Sequence, residues 1–128
     1  MGGAHDALEH LRPVMTAEDL EELQEQVGRV HVNESLVDYM MTIVHASRSH
    51  PEVELGVSTR GALTFFRAAQ ALAMVYGRDF VIPDDVKELA VPVLSHRIML
   101  RERRSARGAA SPEARFIQRL LTEIPVPR

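Results

Sequence analysis

Apolar positions along this chain recur mostly at helical spacing, and turn-forming residues divide them into segments. Thr16 stands where a helix cap is expected, with Asp19 three residues on as a capping-box partner. Leu20, Leu23 and Val27 then form one apolar stripe before Gly28, on a helix whose remaining surface is acidic. Val30-His31-Val32 reads as a short extended connection. Asn33 caps a second helix through Leu36, Met40, Ile43 and Val44 towards Ser47, and Ser49-His50-Pro51 ends it. The longest helix is predicted from about Thr59 to Tyr76, where Ala62, Phe65, Phe66, Ala69, Leu72, Ala73 and Tyr76 make the broad buried face of a core helix. Gly77 closes it, and Phe80-Val81-Ile82 is briefly extended. Pro83, Asp84 and Asp85 open a fourth helix with acids in the first turn, where the helix dipole favours them. Pro92 is expected to interrupt or kink that helix before Leu94 and His96. Residues 101–111 read as an exposed loop, and a last helix from about Pro112 carries Phe116, Ile117, Leu120 and Leu121. The pattern predicts an all-α fold, a small bundle of about five helices with room for a short extended segment.

With 128 residues and 45% hydrophobic content, the chain suits one domain with a modest core. The absence of cysteine excludes a disulfide scaffold and a thiolate metal site, and fits a reducing compartment. No apolar run approaches the roughly 18 residues of a membrane span, and the start lacks a signal-peptide pattern, so a cytoplasmic setting is expected. Met1-Gly2-Gly3 looks like an added start. Residues 1–4 are therefore read as a cloning scar or a disordered lead, and residues 5–128 as the domain. The net charge of −3 hides a polarity: residues 1–55 hold 11 acids against 3 arginines, and residues 56–128 hold 7 acids against 12 lysines and arginines. Such an asymmetry either orients a domain against neighbours of opposite sign or reflects two differently charged solvated faces.

The most specific chemistry lies in Gly56-Val57-Ser58-Thr59-Arg60-Gly61-Ala62, which places an arginine in the first turn of the longest helix. A cation there opposes the helix dipole at a typical cost of about 0.3–1 kcal/mol. Free N–H groups of a first turn attract anions, so a guanidinium among them makes a phosphate-binding corner, with Ser58 as the cap. A solvated arginine tolerated at small cost is the competing reading.

Other chemistries are excluded by what is missing. No G-x-x-x-x-G-K-[ST] loop is present, and no apolar strand ends in paired acids that hold magnesium, so the chain is not expected to hydrolyse ATP alone. The six histidines form no H-E-x-x-H pair, and no G-x-S-x-G elbow positions a nucleophile; no metal site is expected. Arg97, Arg101, Arg103, Arg104 and Arg107 invite a nucleic-acid reading. One interspersed acid, no nearby aromatic and a sequence pI near 6.1 argue instead for a solvated loop or a protein contact.

Three blocks in register, the Gly56–Ala62 corner, Gly77-Arg78-Asp79-Phe80-Val81-Ile82-Pro83-Asp84-Asp85-Val86 and Leu94-Ser95-His96-Arg97-Ile98, resemble the C-terminal lid of MoxR-family AAA+ ATPases, and Ile124-Pro125-Val126-Pro127 supplies the family's close. Two departures are visible: Thr59 stands where the family usually has proline, and Gly61 where it usually has alanine.

The resemblance implies a lid that senses nucleotide and couples ATP binding and hydrolysis to conformational change. It gives Arg60 the sensor-2 role of reaching the γ-phosphate, with Gly56 and Ser58 shaping the approach on a sensor helix of about residues 59–76. It implies ATP and Mg2+ in a full-length parent and none in the isolated chain. Implied partners are the parent's ATPase core, neighbouring subunits of a hexamer, and von Willebrand factor A domain proteins, in chaperone-like maturation or cofactor insertion.

Arg78-Asp79 reads as an internal ion pair fixing a turn, or as surface meeting the core. His96-Arg97 reads as a packed, hydrogen-bonded pair or an intersubunit contact, and Arg48 as a surface arginine or one reaching a neighbouring nucleotide. A different class, a small helical protein-interaction module docking through its acidic first helix, stays open beside this, as does a basic-loop nucleic-acid binder.

Overall fold

The computed structural model describes residues 3–102 and 110–128. Among these, six α-helices run in the order α1 (Gly3–Glu9), α2 (Ala17–Gly28), α3 (Glu34–Ser49), α4 (Thr59–Val75), α5 (Pro83–Leu94) and α6 (Pro112–Glu123). Two short strands, β1 (Val53–Leu55) and β2 (Met99–Leu100), pair antiparallel with Val53 opposite Leu100. Much of the expected Arg-rich loop, residues 103–109, lies outside the described residues, as do residues 1 and 2.

The predicted caps form: Thr16 and Asp19 make a reciprocal capping box on α2, and Asn33 caps α3. Ser111, read from the sequence only as the end of a loop, caps α6 ahead of Pro112. The expected extended pieces meet each other: His31 donates its N–H to the Asp79 carbonyl at 2.8 Å, and Val81 donates to the His31 carbonyl at 2.9 Å. Gln70, buried on α4, ties this bridge down by donating to the Val30 carbonyl at 2.9 Å. A polar residue on an otherwise apolar face is the signal for such an anchor.

The core lies where α4 packs on α3 and α5, closed by α6 over α5. Phe65, Ala69 and Ala73 of α4 are wholly buried against Ile43, Val86, Leu94, Phe116 and Ile117. The predicted face of α4 is narrower than expected. Ala62, Phe66 and Leu72 are half-buried, and Tyr76 is exposed because the helix stops at Val75 and the tyrosine caps it from outside, its hydroxyl donating to Glu88. Pro92 does not interrupt α5, which continues to Leu94. The α2 stripe is weaker still: no residue of α2 is fully buried, and Leu20 and Leu23 stay exposed.

Candidate functional site

The site forms where the end of α3 meets the first turn of α4. Ser47 is wholly buried; its hydroxyl donates to the Val44 carbonyl at 2.6 Å and accepts from the Val57 N–H at 3.1 Å. Arg48 holds the other side of the same residue, its Nε donating to the Val57 carbonyl at 2.7 Å. Gly56 lets the backbones come this close. A Cβ at that position would sit 2.6 Å from the Arg48 Cα and 2.8 Å from its backbone nitrogen, closer than real Cβ atoms approach. The segment entering α4 is thus clamped to α3, and α4 starts from a fixed point. Ser47 is a site residue that sequence reasoning missed; a serine on the apolar stripe of α3 was the available signal.

Ser58 then caps α4, its Oγ accepting from the Gly61 N–H at 3.0 Å, which leaves the N–H groups of Thr59 and Arg60 without an intrahelical acceptor. Arg60 is exposed on this first turn, and its guanidinium pairs with no carboxylate among the described residues. Beside the turn opens a shallow cleft of about 620 Å³, lined among others by Arg48, Gly56, Ser58, Thr59, His96 and Arg97. No carboxylate among the described residues lines it, and neither does Arg60.

His96 and Arg97 sit on a 3-10 turn, Ser95–Arg97, that follows α5. They are not the hydrogen-bonded pair expected. His96 is exposed, while Arg97 is half-buried with its Nε shielded from solvent and lacking any hydrogen-bond partner. The Arg97 stem packs over Gly61: a Cβ there would lie 3.3 Å from the Arg97 Cδ and 2.9 Å from a Val57 methyl. Glycine in place of the family's alanine therefore gives Arg97 and Val57 room against the first turn of α4.

Arg78 does not pair with Asp79. Its two terminal nitrogens donate to the Asp85 carboxylate at 2.7 and 2.6 Å, and one also donates to the Phe80 carbonyl. Asp85, third in α5, faces back towards the turn and also accepts from the Ile82 N–H at 2.9 Å. Burial pushes the Asp85 carboxyl up, but the Arg78 fork and the Ile82 N–H outweigh it and hold it below the usual carboxylate value. Asp79 is exposed. This cluster adjoins the C-terminal end of α4, about 25 Å from Arg60 at 1.5 Å per residue, so the structure does not bring Arg78 and Asp79 to the corner.

A second cleft, of about 980 Å³, lies between the strand pair and α6. Its arginines are partly engaged: Arg119 with Glu52 at 2.8 Å, and Arg101 with the Pro51 carbonyl. Among the described residues no cluster of His, Asp or Glu could hold a metal ion, and no helix is long and apolar enough to cross a membrane.

This small helical body, with a cation on a clamped helix start, can be set beside known proteins. The AAA lid domain family matches residues 45–119. Bacillus subtilis (strain 168) YeaC is 43% identical over 109 residues, covering 85% of this chain and 31% of that protein. The Mycobacterium tuberculosis protein Chaperone MoxR1 is 36% identical over 126 residues, 91% of this chain and 33% of that protein. A crystal structure from Cytophaga hutchinsonii, described as that of a candidate ATPase, superposes with a TM-score of 0.71 at 30% identity, over 81% of this chain and 34% of that one. The chain spans about a third of the length of these relatives. It belongs to the AAA lid domain family, among the lids of MoxR-type AAA+ ATPases.

Proposed function

We propose that this chain is the nucleotide-sensing lid of a MoxR-type ATPase, with Arg60 as the residue that reports the γ-phosphate to the lid. The observation that carries the reading is an exposed arginine, unpaired among the described residues, on a helix start fixed to the domain body through Val57. The residues fit a phosphate: the neighbouring cleft offers arginines, a hydroxyl cap and N–H groups, and no carboxylate among the described residues. In the parent ATPase, ATP and Mg2+ held by a core domain would supply the phosphoryl chemistry. Arg60 would supply a cation, and Gly56, Ser58 and the Ser47–Arg48 clamp would fix its approach. Assembly with neighbouring subunits of a hexamer, a cytoplasmic setting, a chaperone-like role in maturing or loading cofactors into partner proteins, and partnership with von Willebrand factor A domain proteins belong to the same proposal; the similarity to Chaperone MoxR1 supports the chaperone part.

The test needs the full-length parent. Arg60→Ala should lower ATP turnover by about two orders of magnitude or more, the scale of losing a preorganised cation at a transferring phosphoryl group. The melting temperature of the 128-residue chain should hold or rise, since an unfavourable dipole contact is removed. Arg60→Lys should rescue poorly, because a point charge does not reproduce the planar fork. Near-normal turnover of Arg60→Ala would end the sensor reading.

A second reading has its own observation. On α2, Glu18, Asp19, Glu21, Glu22 and Glu25 stand exposed together with Leu20 and Leu23, a face suited to docking a basic partner protein. Loss of a partner after Glu21→Lys and Glu25→Lys, with ATP turnover unchanged, would favour that role.

A further inference from the structure

The sensor reading uses Arg60 and leaves Arg97 without a role, although Arg97 is the more unusual residue. Its stem is packed over Gly61, its Nε is shielded from solvent with no acceptor, and it forms no ion pair among the described residues. Buried N–H donors in folded proteins are nearly always paired, and each exception asks for an explanation. Arg78 and Arg119 show the ordinary alternative in this chain, each being engaged by a carboxylate. Arg97 instead lines a cleft with Arg48 and His96, where no acidic side chain among the described residues competes for it. The Arg48 Nε is committed to the Val57 carbonyl, so Arg97 is the arginine of the cleft whose Nε is uncommitted.

We propose that Arg97 is a second phosphate-contacting residue of the lid, its terminal guanidinium nitrogens donating to the polyphosphate of a nucleotide that enters the Arg48–His96–Arg97 cleft while the shielded Nε stays packed. The identity of the anion rests on the reading of this chain as an ATPase lid; the chemistry of the cleft does not. Arg60 and Arg97 then divide the work. Arg60 is exposed on the helix start and free to swing, whereas Arg97 is held by its packing on Gly61 and fixes where the phosphate chain can lie.

The test uses the 128-residue chain, 15N-labelled, titrated with inorganic tripolyphosphate while the arginine Nε–H signals and the Ser58, Thr59 and Gly61 amides are followed by NMR. The Arg97 Nε–H signal should move saturably. Arg97→Met, which keeps the packed stem, should weaken binding about tenfold, the scale of one charge-assisted contact, and Arg97→Lys should restore little of it. Both variants should melt close to the parent chain. Movement of the Arg60 signal with a static Arg97 signal, wild-type affinity of Arg97→Met, or no movement at all would each overturn the proposal. These outcomes separate it from the sensor reading, which is decided by turnover of the Arg60→Ala ATPase. A moving Arg97 signal with normal Arg60→Ala turnover would leave the Arg97 site standing and remove the sensor.

Discussion

Gly56→Ala is the sharpest perturbation of the corner, because its effect follows from a single added atom. The new Cβ would meet the Arg48 Cα at 2.6 Å, its Cγ at 2.7 Å and its backbone nitrogen at 2.8 Å. Two of these are backbone atoms on α3, beside the wholly buried Ser47, so the side chain cannot simply turn away. The 56–58 segment has to lift. Forcing a methyl into a packed contact costs about 1–3 kcal/mol. Lifting the segment also strains the Ser47–Val57 and Arg48–Val57 hydrogen bonds, each typically contributing about 0.5–1.5 kcal/mol. The expected loss is about 2–5 kcal/mol, a large share of the roughly 5–15 kcal/mol that holds a domain together. In thermal and urea unfolding followed by circular dichroism, the melting temperature should fall by about 10 °C or more. Gly28→Ala is the control. Nothing lies within 4 Å of a Cβ there, so on the last turn of α2 alanine should be neutral or stabilise by up to about 1 kcal/mol. A Gly56→Ala protein melting within about 2 °C of the parent would refute the clamp.

Two further expectations concern the body of the domain. Phe65→Ala should destabilise by about 3–5 kcal/mol, and Phe66→Ala clearly less, because Phe65 is wholly buried and Phe66 half-buried; equal losses in urea titrations would show that α4 is rotated from the orientation described. Asp85 carries a pH signature. Its native carboxyl lies below the unfolded value, so the ionised form adds stability that is fully present above about pH 4 and is lost as the pH falls through the lower native value. The stability gap between the parent chain and Asp85→Asn should therefore be widest near neutrality and narrow in acid; parallel curves down to pH 2 would refute the assignment.

What could be read in the sequence depended on whether the cause was local. Caps and helix starts are set by residues three or fewer apart, and the Thr16, Asn33, Ser58 and Pro83 assignments hold. The phase of a buried face depends on what packs against it, so the α4 stripe was traced as a line of apolar residues while its edges at Phe66 and Leu72 were set by neighbouring helices, and Tyr76 left it because the helix stops at Val75. Ion pairing was read from adjacency. Arg78 beside Asp79 looked complete in one dimension, but the partner, Asp85, is brought round by Gly77 at φ +77° and the start of α5. The corner was legible as far as Arg60 and its cap, because dipole chemistry operates within one turn. Its clamp was not, because Ser47 and Arg48 act across nine or ten residues. Arg97 was the least legible: its contact with Gly61 joins α4 to the turn after α5, and only the fold supplies it.

The way the corner is built bears on how a lid with a phosphate contact would move. Val57 is held through both its N–H and its carbonyl by consecutive residues of α3, and α4 runs from that point into a face where Phe65, Ala69 and Ala73 are wholly buried. Close-packed interiors do not absorb a displacement at one end by local give. A pull on Arg60 would therefore act on α3 and α4 together, and through the core on α5 and α6, turning the body as a unit. An exception is α2, which has no fully buried residue and touches the body mainly through α4. With its acidic side chains and exposed Leu20 and Leu23, α2 would be able to change its contacts without unpacking the core, and on the proposed reading it would be free to meet a partner while the corner at the other end of α3 followed the nucleotide.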